Sequence, residues 1–139
     1  MAGFDFRFCE SGSAPTVRTV YAKDTETLTT GDILNLETGE VDLGATGDTR
    51  LLGACLETKA HTDSTTTTEV IVDADAVYGV TDANARKIGA TLDLSGETGA
   101  QTVATSSNKD LVVVADSSAT EETLVRVYPT RHALAGTAS

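Results

Sequence analysis

Residues 31–56, GDILNLETGEVDLGATGDTRLLGACL, decide the fold. Apolar residues alternate over 33–36, so one side of an extended segment faces a core and the other faces out. Glu37-Thr38-Gly39-Glu40 reads as a hairpin turn and 41–43 as the short returning strand. A Gly/Thr/Asp loop then leads to a further strand at 51–56. Residues 89–115, GATLDLSGETGAQTVATSSNKDLVVVA, repeat that order. Gly89 stands for Gly31, Leu92 and Leu94 for Leu34 and Leu36, Thr98-Gly99 for Thr38-Gly39, and 111–114 for 51–56. Two copies of one meander imply a small, pseudo-repeated all-β domain. Nothing in the repeat carries chemistry.

The bulk composition agrees. A chain of 139 residues is one domain, long enough to bury roughly two-thirds of its unfolded surface. With 4% aromatic residues and no Trp, the core must be built from Val, Leu, Ile and Ala. Abundant Thr, and 12 Gly against 2 Pro, suit strands and tight turns. A net charge of −11 repels phosphate backbones and argues against nucleic acid as a partner. No run approaches the ~20 apolar residues of a membrane helix. The start, MAGFDFRFCESGSAP, lacks the basic and apolar regions of a secretory leader. Cys9 and Cys55 match no zinc or redox spacing and are expected as free thiols of a chain made in a reducing cytosol, a Cys9–Cys55 disulfide being the alternative.

Working outward, residues 1–15 differ from the rest. Phe4, Phe6 and Phe8 alternate with polar residues and would share one face of an extended segment, followed by a Ser-Gly-Ser-Ala-Pro linker. Either they form an edge strand with the rings in the core, or they form an arm that reaches a partner; the linker tips the reading toward the arm. The β domain is expected over 16–130, with strands at 16–22, 67–72, around Tyr78 and at 123–128. A polar loop is expected at 57–66 and one short helix at 81–88, capped by Asp82. Residues 131–139 read as a fraying tail.

Little in the chain points to chemistry. His61 and His132 belong to no ligand spacing and are expected as solvated surface residues. His61-Thr62-Asp63-Ser64 contains triad residue types, but neighbours in sequence cannot form a triad unaided, and no G-x-S-x-G elbow supports them. Asp73-Ala74-Asp75 lacks the further ligands of a calcium loop and reads as a solvated acidic turn. No phosphate-binding glycine motif occurs. The expectation is a non-enzymatic chain without catalytic residues, cofactor or metal.

Laid out in this order, the chain resembles the small head decoration (cement) proteins of tailed bacteriophages, of the lambda D-like, β-tulip type. The resemblance is carried by the extended N-terminal segment with Pro15, Leu28-Thr29-Thr30-Gly31-Asp32-Ile33-Leu34, Leu52-Gly53-Ala54, the strand at 69–72, Val77-Tyr78-Gly79-Val80, Gly89-Ala90-Thr91-Leu92-Asp93-Leu94 and the last strand at 124–128. It implies a β-tulip or barrel-like domain that binds the major capsid protein on the outer surface of the virion, as a homotrimer at three-fold and quasi-three-fold sites, and stabilises the expanded shell. The partner-binding residues expected from their apolar face are Phe4, Phe6 and Phe8. The alternatives are a tail or baseplate β module and a surface or carbohydrate-binding β domain; the absence of Trp platforms weighs against the last.

Overall fold

The computed structural model describes residues 3–23, 26–62, 65–105 and 108–134. Thirteen strands follow one another among the described residues: β1 (Phe4–Cys9), β2 (Val17–Ala22), β3 (Glu26–Leu28), β4 (Ile33–Glu37), β5 (Glu40–Leu43), β6 (Leu51–Ala54), β7 (Lys59–His61), β8 (Thr67–Ile71), β9 (Ala76–Val80), β10 (Thr91–Ser95), β11 (Thr102–Thr105), β12 (Leu111–Val113) and β13 (Thr123–Val127). A 3-10 turn, Pro129–Arg131, comes last. The chain is all-β.

Both meanders form, each in its own sheet. β4 pairs antiparallel with β5 and β6, and β10 pairs antiparallel with β11 and β12. In the first copy Glu37 faces Glu40 across a two-residue turn in which Thr38 and Gly39 both take positive φ, 49° and 83°. That backbone twists in the sense the flanking strands need. The second copy replaces it with a longer connection between Ser95 and Thr102.

The five strands β6-β4-β5-β2-β8 close on themselves, because Cys55 bridges Val70 and the Leu56 N–H donates to the Glu69 carbonyl at 2.9 Å. Leu34, Val41, Leu52, Cys55 and Val70 fill this small barrel, with Leu28 of the β3–β7 ribbon and Ala133 packed on the same cluster. A six-stranded sheet, β1-β9-β13-β12-β10-β11, lies against the outside of the barrel. Ile33, Leu51, Ala54 and Ile71 point outward from the barrel to meet Phe4, Tyr78, Leu92, Leu94, Leu111, Val113 and Val125 of that sheet. Successive residues such as Ile33 and Leu34 therefore serve two different cores.

Alternation alone would send Leu51 and Ala54 to opposite faces. The ladder shifts between Ile33–Ala54 and Asn35–Leu51, so β6 carries one extra residue, and both side chains reach the same core. Gly53 sits at this bulge, where a Cβ would run into the Ile71 carbonyl and the Tyr78 hydroxyl.

Two buried polar side chains tie the repeats together. Gln101 accepts from the Ile33 N–H at 2.6 Å and donates to the Ile33 and Gly44 carbonyls at 3.1 and 3.0 Å. Asp32, fully buried, accepts from the N–H groups of Thr29 (2.8 Å) and Gly99 (2.9 Å) and from the Thr98 hydroxyl (2.5 Å). The entrance to the first meander is thus fastened to the turn of the second.

Three expectations are corrected. No helix forms over 81–88. Asp82 does accept from the Asn84 N–H as a cap would, but it also holds the Arg86 guanidinium at 2.5 Å, and Arg86 exchanges both backbone hydrogen bonds with Ser117. A backbone paired to a neighbouring segment cannot also turn back on itself. The loop at 57–66 contains β7, paired with β3. Residues 131–134 are fastened rather than frayed, with Ala133 donating to the Leu51 carbonyl at 2.8 Å; residues 135–139 lie outside the described residues.

Candidate functional site

The expected arm is a strand of the domain. β1 pairs antiparallel with β9 as the edge of the six-stranded sheet, and Phe4 N–H donates to the Gly31 carbonyl at 2.9 Å. The edge-strand alternative is therefore the one the structure adopts. The three phenylalanines do not share a face. A bulge between Phe6 and Phe8 reverses the alternation, so that Phe4 and Cys9 turn inward while Phe8 turns out. Phe4 is 1% exposed in the main core, and Phe6 is half-buried edge-to-face on Tyr78, ring centroids 6.2 Å apart. Phe8 is 46% exposed.

Around Phe8 the outer face of the sheet is organised by ion pairs. Arg7 lies between Phe6 and Phe8 in the bulge and makes a two-pronged contact with Glu122, Nε and Nη2 donating at 2.9 and 2.8 Å. Glu122 reaches Arg7 by lying across Gly79, where any Cβ would strike its carboxylate. Arg126 pairs with Glu10 at 2.5 Å. In a chain of net charge −11, this face gathers two arginines, each matched by a carboxylate, next to one exposed aromatic ring. Such a surface suits protein contact: the apolar centre supplies affinity and the rim supplies orientation.

A second exposed stretch lies on the barrel where the large sheet does not cover it. Val17 and Tyr21 of β2 project there, 37% and 54% exposed, beside Thr19, whose hydroxyl donates to Glu69. Leu56 is exposed next to Glu69.

The residues with chemical potential are spent on structure. His61, expected on the surface, is 1% exposed, and its Nδ1 lies 2.7 Å from the Thr66 hydroxyl. His132 is likewise buried, at 5% exposure. Both imidazoles are displaced downward from their ordinary pKa chiefly by burial. Asp63 and Ser64 lie outside the described residues. Asp73 and Asp75 are partly buried rather than solvated, and together they hold the linker: Asp73 accepts from the Thr16 N–H at 2.5 Å and Asp75 from the Ser11 N–H at 2.9 Å. The Cys9 thiol lies beside them, raised in pKa first by burial and then by the two carboxylates. A neutral thiol and two carboxylates already engaged by backbone make an anchor for the chain between β1 and β2. Cys9 and Cys55 are free and sit in separate cores. Two shallow grooves among the described residues, one edged by Glu26 and Glu97 and the other by Asp116, Glu121 and Glu122, are acidic. The imidazole–hydroxyl contact of His61 with Thr66 has its ring buried and its Nε2 without a hydrogen-bond partner among the described residues to orient it.

No protein family matches the chain, and no curated protein sequence does. A solved structure does. The crystal structure of the N base of head fiber gp8.5 from bacteriophage phi29 shares the fold, with a TM-score of 0.52 at 12% sequence identity. The likeness covers 84% of this chain and 98% of that one. It therefore takes in both the barrel and the sheet packed on it, rather than one meander. From the sequence Phe8 is expected as a partner-binding residue together with Phe4 and Phe6 and cannot be set apart from them, because the bulge that turns it outward leaves no mark in the alternation. The juxtaposition of Gly79, Glu122 and Arg7 depends on residues far apart in the chain.

Proposed function

We propose that this chain is a non-enzymatic structural protein of a tailed-phage head. In this reading it docks as a homotrimer on the major capsid protein, at the outer surface of the virion, and adds contacts that stabilise the expanded shell. The observation that carries the reading is the shared fold with a phage head-fiber base over 98% of that chain. The contact is assigned to Phe8 and the ion-paired face around it; Phe4 and Phe6 are assigned to holding β1 in place.

The test is co-sedimentation with undecorated, expanded capsids of the same source, using the intact chain and Phe8→Ser. Removing residues 1–14 would be a poor probe, since it deletes β1 and the buried Phe4. Saturable binding by the intact chain, weakened ~10-fold or more in Phe8→Ser, is the expected result, in line with the loss of a central aromatic contact. Equal binding by the two forms would move the contact elsewhere on the surface. Absence of binding by the intact chain would refute the head reading and turn attention to tail assemblies.

A further inference from the structure

After β13 the chain crosses the barrel. The Tyr128 N–H donates to the Asp110 carbonyl at 2.9 Å, the Arg131 guanidinium to the Asn108 carbonyl at 2.7 Å, and the Ala133 N–H to the Leu51 carbonyl at 2.8 Å. Residue 132 bridges Leu51 in parallel register, and Ala133 packs on the barrel's own core cluster. The segment is a strap laid over a hydrophobic interior; of its apolar side chains Pro129 and Leu134 are exposed, and Tyr128 and Ala133 are half-buried.

His132 is the centre of the strap. Its Nδ1 accepts a hydrogen bond from the Leu134 N–H at 3.0 Å, which requires a lone pair on that nitrogen. Its Nε2 is buried with no hydrogen-bond partner among the described residues. This arrangement accommodates only the neutral ring. The neutral ring therefore carries its proton on Nε2; on protonation Nδ1 also becomes a donor, facing the Leu134 N–H, and a cation replaces a neutral group in a buried site.

We propose that residues 128–134 form a pH-released strap, closed over the barrel when His132 is neutral and detached when His132 takes up a proton. The charged groups that act on the ring are Arg126 of β13, which opposes protonation, and Asp73 of the β8–β9 turn, which favours it. The backbone of Leu52 on β6 also favours the charged ring. Arg131, the neighbouring cation in the strap, is turned to the Asn108 carbonyl. Burial outweighs the favourable contributions and lowers the pKa of the ring. The sign follows from linkage: the detached strap has an ordinary histidine near 6.5 and binds the proton more readily than the closed one. Closure is therefore complete above about pH 6.5 and is lost as the pH falls from there toward the lowered value, by up to ~10-fold in the opening constant per pH unit. Release uncovers the barrel interior at Ala133.

The other buried imidazole gives an internal control. His61 belongs to the β3–β7 ribbon, near Glu26, Glu57 and Lys59, and not to the strap. The experiment is amide hydrogen exchange, corrected for intrinsic rates, on the intact chain and on His132→Asn and His61→Asn between pH 7.5 and 5. Asn at 132 retains an acceptor at the position of Nδ1 and does not titrate. The Ala133 amide should lose protection ~10-fold or more on acidification in the intact chain and in His61→Asn, and should stay protected in His132→Asn. The Leu56 amide, bonded within the barrel to Glu69, should change little in any of them. An Ala133 amide unaffected by pH, or one that responds equally in His132→Asn, would overturn the proposal. If His132→Asn does not fold, the NMR titration of His132 in the intact chain decides. A midpoint coinciding with the loss of Ala133 protection supports the strap, and an imidazole still neutral at pH 5 sinks it.

Discussion

Replacing Gln101 by Glu changes one buried atom and should convert a pH-independent clasp into a strongly pH-dependent one. Gln101 is 1% exposed, and its amide nitrogen donates to two carbonyls, Ile33 at 3.1 Å and Gly44 at 3.0 Å, while its oxygen receives the Ile33 N–H at 2.6 Å. A carboxylate would set an oxygen about 3 Å from both carbonyl oxygens, with no water to screen the repulsion. The folded protein should therefore keep the new side chain protonated, its single O–H serving one carbonyl and leaving the other short of a donor. That deficit costs about 1 kcal/mol at any pH. The unfolded chain ionises with a pKa near 4.3, so from that point upward each pH unit favours unfolding by a further ~1.4 kcal/mol, until the folded-state pKa is passed. If the folded group is still neutral at pH 7, the added cost is about 3.7 kcal/mol, a large part of the 5–15 kcal/mol typical of a domain. Urea unfolding of both forms at pH 4 to 8 measures the difference directly. A destabilisation that stays constant across this range would show that Gln101 is not held between the two carbonyls, and the two meanders would then be joined by something other than this clasp.

Two further substitutions probe the same architecture. Tyr78→Phe removes the hydroxyl that receives the Ala54 N–H at 3.2 Å beside the Gly53 bulge; a loss of about 1–3 kcal/mol in denaturant unfolding is expected, and no loss would mean that the bulge is satisfied without it. Asp32→Ala strips partners from the Thr29 and Gly99 amides, and should cost several kcal/mol, roughly 1–3 for each buried amide left unbonded, with hydrogen exchange rising first at Gly99. Unchanged protection at Gly99 would show the fastening to be dispensable.

Much of the fold was legible because hydrophobic alternation and turn chemistry are local. Residues 33–36 and 91–94 announce strands by period, and Thr38-Gly39 announces a tight turn, because few dipeptides tolerate two successive positive φ values. The helix expected over 81–88 shows the limit of such signals. Asp82 is a sound cap in isolation, but the backbone of Arg86 was claimed by Ser117, far along the chain, and pairing at that distance leaves no local trace. The histidines failed for the same reason. A polar loop composition around His61 says nothing about β3, which comes from the other side of the first meander to cover it.

The sequence by itself determined that this is an acidic, all-β chain with two related meanders and no recognisable catalytic motif, since composition and period-two patterning depend only on neighbours along the chain. Tertiary structure alone decided that one meander closes into a barrel while the other opens into a sheet against it. It also decided that single strands such as β4 feed two cores at once, and that the three phenylalanines part company. One extra residue in β1 reverses which side of the strand faces the core, so Phe4 becomes structure and Phe8 becomes surface. A bulge is fixed by the register of the partner strand, and register is settled only when the whole sheet packs.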